Sequence, residues 1–136
     1  MRRTFEARWF AVDKINTGDL GGDLTALAGM IFNTLTGPYG GAARWLAMDA
    51  AQHDDVRAVS APYSEAAIRQ GRAIARRAIA RGEIAPSVNP GLLMDLVVGA
   101  VNNHVATTPS RLKAVMVAKR DGFIAALVDT VLRGVS

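Results

Sequence analysis

The chain contains no cysteine. Disulfides, thiol nucleophiles and cysteine-ligated zinc are therefore excluded, and the composition suits a reducing compartment such as the cytoplasm. Histidine is almost as scarce, with only His53 and His104 in 136 residues. Neither belongs to a ligand-spaced pair, and there is no Gly-x-Ser-x-Gly segment and no phosphate-binding loop. The sequence thus offers no catalytic constellation, no metal site and no cofactor motif. Negative charge is in mild deficit, giving a formal net charge of +4. That surplus permits contact with nucleic acid but does not by itself gather basic residues on one face. Long apolar runs are also missing. The longest uncharged stretch, Leu24 to Ala43, holds Asn33, three threonines and Gly37-Pro38, so it cannot be a single lipid-spanning helix of about 20 apolar residues. The opening MRRTFEARWF lacks the apolar core of a signal peptide. A soluble cytoplasmic protein without a membrane partner is the expectation.

Half of the residues are hydrophobic, and a chain of this length can bury a proper core in one domain. Alternating β-branched patterns are nearly absent and apolar positions recur at three and four, so helix is expected throughout. Residues 1–16 carry Phe5, Trp9 and Val12 but no clear cap, and read as an N-terminal segment, a frayed helix at most. Thr17 is placed to cap a first helix through Leu20, Leu24, Leu27, Ile31 and Leu35, with Asp19 and Asp23 near its positive end. After the Gly37-Pro38 break, a second helix spans about Ala42 to Gln52. Pro62 either opens a long helix to Arg81, following a short one that ends near Ala61, or kinks one continuous helix. Gly82 stops it. Asn89 and Pro90 begin the next helix strongly, and Thr107–Pro109 separates it from a final helix to about Arg133.

The last two helices carry more apolar surface than one core can use. On the first, Leu93, Leu96, Val97 and Ala100 make one stripe, while Leu92, Met94, Val98, Val101 and Val105 cover much of the rest. The second has one row of Leu112, Met116, Phe123, Leu127 and Thr130, and another of Val117, Ile124, Val128 and Val131. A surface helix in a small monomer shows one apolar stripe. The excess predicts a second copy, in a two-fold homodimer. The expected architecture is an all-α bundle of five to six helices, its last two helices forming a four-helix bundle across the dimer. Leu93, Val97, Val101, Phe123, Ile124, Leu127 and Val131 are the expected interface residues.

Four segments carry a family resemblance. Thr17-Gly18 followed by Asp23-Leu24, then Ala78-Ile79-Ala80-Arg81-Gly82-Glu83-Ile84, then Asp95-Leu96-Val97-Val98-Gly99, and finally Val128-Asp129 with Leu132-Arg133-Gly134 occur in that order. Together they resemble the C-terminal domain of TetR-type transcriptional regulators, over residues 17–136. The resemblance implies an effector-binding, dimerising regulatory domain. It implies DNA binding only through an N-terminal helix-turn-helix module, which the sixteen residues before Thr17 are too few to hold.

Pockets in helical domains lie between helices and are mostly apolar. Phe32, Trp45, Met48, Met94, Asn103 and His104 are the large or adaptable groups that can line one for a small hydrophobic effector. Asp95, a carboxylate on an apolar helix, should be paired if buried. Arg69, Arg72, Arg76, Arg77 and Arg81 are the best candidates for nucleic-acid contact. The first three share one helix face and the other two lie beside it, but no aromatic side chains interleave with them for base stacking, and they read as a solvated face. The competing reading is a stand-alone helical ligand-binding protein or enzyme. That reading requires histidines or carboxylates converging in a cleft.

Overall fold

A computed structural model describes residues 12–38, 40–41 and 53–136, with backbone alone at residues 11 and 56–64. Among the described residues the structure is all α. A 3-10 turn at Ala11–Lys14 precedes α1, Leu20–Thr36, followed by α2 over Asp54–Ala80 and α3 over Pro90–Thr107. A further 3-10 turn at Ser110–Leu112 leads into the short α4, Lys113–Ala118, and then α5, Arg120–Val135. The expected second helix around Ala42–Gln52 lies outside the described residues, as do Phe5 and Trp9.

Helix ends follow the sequence signals with one change of cap. Asp19 rather than Thr17 is the N-cap of α1, its carboxylate accepting a hydrogen bond from the Gly22 N–H at 2.6 Å. Asn89 caps α3 by accepting from the Leu92 N–H at 3.1 Å, and Pro90 takes the first helical position. Of the two alternatives at Pro62 the structure has the continuous one, since α2 runs through it for 27 residues. A proline inside a helix removes one backbone hydrogen bond. The end of α2 is a Schellman turn: the Gly82 N–H reaches the Ile79 carbonyl at 3.0 Å and the Glu83 N–H reaches Ala78 at 3.0 Å. Gly82 has φ +78°, a left-handed conformation that glycine adopts without a Cβ clash.

The single final helix expected from the sequence is divided. Lys119, at φ −96° and ψ 12°, separates α4 from α5. The break turns Arg120 onto α1, where its Nε donates to Asn33 Oδ1 at 2.9 Å. The sequence has no proline here and only Asp121-Gly122 as a local turn signal, and the docking of Arg120 on α1 accompanies the interruption.

The core is built where α1, α3 and α5 meet, with α2 closing over α3. Leu20, Leu24, Leu27 and Phe32 of α1 bury against Leu93, Val97, Val101 and Val105 of α3, together with Ile124, Val128 and Val131 of α5 and Ile74, Ala75 and Ala78 of α2. Val12 and Ile15 join this core, while the rest of the expected N-terminal segment, residues 1–10, lies outside the described residues. No helix among the described residues is long and apolar enough to cross a membrane.

Candidate functional site

Three features stand out: a buried charge network, an aromatic cluster and an uncovered apolar face. The network joins two segments far apart in sequence. Asp23 is completely buried. Its Oδ1 accepts the Thr17 backbone N–H at 2.7 Å and the Thr17 hydroxyl at 2.9 Å. Its Oδ2 lies 3.7 Å from Arg77 Nη2 and 3.8 Å from Arg81 Nη2. Arg77 also donates to the Ile15 carbonyl at 2.7 Å. Glu83 closes the arrangement by accepting the Leu20 N–H at 2.9 Å and pairing with Arg81. A buried carboxylate is tolerated because donors and cations surround it. The network therefore ties the start of α1 to the end of α2. The Thr17-to-Leu24 and Ala78-to-Ile84 segments, read separately along the chain, are the two halves of this one tie.

Glu83 is shifted by its place there. The Leu20 N–H, then the Arg81 hydrogen bond, favour the carboxylate and hold its pKa below the ordinary value of 4.5. A depressed folded-state pKa contributes stability above the unfolded value, and that contribution is lost as pH falls through the folded one. Wild type should therefore exceed Glu83→Gln in melting temperature near neutrality, and the gap should narrow once pH drops below 4.5. A gap that stayed constant down to strongly acid pH would assign the effect to packing rather than charge.

The aromatic cluster gathers two of the expected pocket residues. The His104 ring stacks on Phe123 with centroids 3.8 Å apart and planes 6° from parallel. Phe32 meets the same Phe123 at 6.4 Å in a tilted arrangement. The Arg120 guanidinium stands 5.9 Å from the Phe32 ring centroid. It also lies against Gly29, where a Cβ would come within 2.6 Å of Arg120 Nη2. Phe32 is fully buried and His104 half-buried. Met94 sits about 15 Å away along α3, ten residues at 1.5 Å each. It is buried beside Gly71 of α2, its Sδ 3.3 Å from where a Gly71 Cβ would stand. Asn103 points to solvent. Trp45 and Met48 lie outside the described residues. The structure thus brings Phe32 and His104 together through Phe123, and places Met94 at the α2–α3 contact and Asn103 outside both.

The expected interface residues divide in the same way. Leu93, Val97, Val101, Ile124 and Val131 lie in the chain's own core, while Phe123 and Leu127 are half-buried. The uncovered apolar side of α3 is the opposite one: Leu92 and Leu96 are 57% and 49% exposed, with Gly99 and Asn103 continuing the same outer row. Leu112, just before α4, and Val115 and Val117 within it are exposed. Asp95 is exposed, so it needs no buried partner; the buried carboxylate is Asp23. Arg69, Arg72 and Arg76 are exposed on α2, as a solvated face would be. Among the described residues no three histidine or carboxylate groups gather as a metal site.

The comparisons with known proteins agree with this anatomy. No curated protein and no solved structure matches the chain. A family model, described as the tetracyclin repressor-like C-terminal domain, matches residues 15–131, a span that opens at Ile15, takes in both halves of the Asp23 network and ends at Val131 in the core of α5. The chain belongs to the tetracyclin repressor-like C-terminal domain family.

Proposed function

We propose that this chain is the effector-binding and dimerising domain of a TetR-type transcriptional regulator, working in the cytoplasm. Residues 17–136 form that domain in this reading, and residues 1–16 a segment leading into it. The observation that carries the dimer is the outer row of α3. Its inner row is buried, yet Leu92 and Leu96 remain about half exposed, and a helix apolar on both sides is normally covered on both. Half-buried Phe123 and Leu127 on α5 extend the apolar material available to a second copy.

The effector is a small hydrophobic molecule held between helices. Met94, at the α2–α3 contact, is the residue through which the described part of the chain can sense it, with Trp45 and Met48 completing the set from the sequence, while the Phe32–Phe123–His104 cluster lies about 15 Å away along α3. Binding biases the dimer between two arrangements of its helices. In a regulator of this type that changes the spacing of two DNA-reading heads, so DNA recognition belongs to a helix-turn-helix module rather than to residues 15–131. The domain performs no catalysis in this scheme and needs no cofactor.

Two measurements on the same preparation test the proposal. Light scattering in dilute solution should give twice the 14.4 kDa chain mass. A thermal-shift screen with small apolar molecules should yield stabilising compounds, since a ligand at a hundred times its Kd adds about 2.7 kcal/mol. A clean single-chain mass would remove the dimer, and a screen in which no compound raises the melting temperature would remove the effector site.

A further inference from the structure

The described helices contain one uncharged polar group that the fold itself does not use. Gln70 lies on α2, and its Oε1 is buried with less than 1 Å² exposed and no hydrogen-bond partner. Its helix neighbours one turn away, Ala67 and Ile74, pack on the core. The adjacent Gly71 has no side chain, and the flexible Met94 thioether fills the space over it, Sδ lying 3.3 Å from the ideal Cβ position. Buried polar atoms are normally satisfied, because an amide oxygen removed from water without a partner is costly. An oxygen kept in that state on a helix that packs against the core is equipped to receive a donor from outside the chain.

We propose that Gln70 is the polar anchor of the effector site, accepting a hydrogen bond from an N–H or O–H group on an otherwise apolar ligand. The inference rests on the effector reading above and narrows its ligand class: a small apolar molecule carrying one donor, such as a phenol, an indole or an apolar amide. Helix α2 supplies the fixed acceptor. A purely hydrocarbon ligand would leave Oε1 unpaired and so gain nothing from it.

The test uses the whole chain and two probes of nearly equal shape, 4-tert-butylphenol and its methyl ether, titrated by calorimetry against wild type and Gln70→Met. The expected result is that wild type binds the phenol about tenfold tighter than the ether, the size of one net hydrogen bond. Gln70→Met binds both alike and, without ligand, melts no lower than wild type, because an unpaired buried acceptor has been removed. Four results overturn the inference. Equal affinities in wild type would show that no acceptor faces the ligand. Preference for the ether would mean that the amide is turned over and presents its NH₂. An unliganded Gln70→Met that melts several degrees lower would show that the oxygen has a partner within the fold. If neither probe binds at millimolar concentration, the apolar effector site itself fails, a different outcome from binding without donor preference.

Discussion

Replacing Asp23 with alanine should lower the stability of this domain by about 3 kcal/mol or more, since it deletes two hydrogen bonds to a charged acceptor, each contributing about 1.5–3 kcal/mol, while the two arginines left behind keep about a third of their side chains in water. The substitution leaves the Thr17 N–H and hydroxyl without their acceptor and two guanidinium groups, Arg77 and Arg81, without the carboxylate between them. Against a total stability of roughly 5–15 kcal/mol for a domain of this kind, the loss removes a large part of the folded population's margin. Asn at the same position keeps an oxygen for Thr17 and loses only the charge, so Asp23→Asn should fall between alanine and wild type. Urea denaturation at one fixed protein concentration measures both, and the midpoint should move with little change in slope. If Asp23→Ala stayed within 1 kcal/mol of wild type, the network would not be what ties α1 to α2.

The same residue shows what can and cannot be read along the chain. Thr17, Asp23, Arg81, Gly82 and Glu83 are visible in the sequence as helix-end signals, and each end forms close to where its signal stands. Their meeting is not visible. Leu20 and Glu83 are 63 positions apart, and periodicity describes one helix at a time without saying which ends approach. In the sequence Asp95 stands out because its neighbours are apolar, whereas Asp23 reads as an ordinary first-turn acid. Burial decided otherwise, because Asp23 faces the α1–α2 contact and Asp95 faces outward. The stack of His104 on Phe123 is equally hidden, since nothing local pairs position 104 with position 123. The division at Lys119 has only Asp121-Gly122 as a local signal, and it comes with the docking of Arg120 on Asn33.

The apolar excess of α3 was legible, but its allocation was not. Leu93, Val97 and Val101 share a stripe with a helical repeat, and so do Leu92 and Leu96, with nearly the same chemistry. Only the packed structure shows that the first set is spent on the chain's own core. This allocation yields a prediction that separates association from folding. Leu96→Glu should abolish the dimer while leaving a folded monomer. In the isolated chain Leu96 is 49% exposed, so a carboxylate there meets water and costs the fold little. In a two-fold interface each substitution occurs twice, and two carboxylates must be stripped of water with no cation to meet them. At about 2 kcal/mol or more for each buried, unpaired charge, the dissociation constant should rise at least a thousandfold. Leu93→Glu should behave oppositely. Leu93 is 1% exposed, so a charge there disrupts the core and the variant should unfold or fail to accumulate rather than dissociate. Sedimentation gives the mass, and far-ultraviolet circular dichroism gives the helical content of the same samples. A Leu96→Glu protein that still sediments at twice the chain mass would move the second copy away from the outer face of α3. A folded, monomeric Leu93→Glu protein would instead return the interface to Leu93, Val97 and Val101, the residues expected there from the sequence.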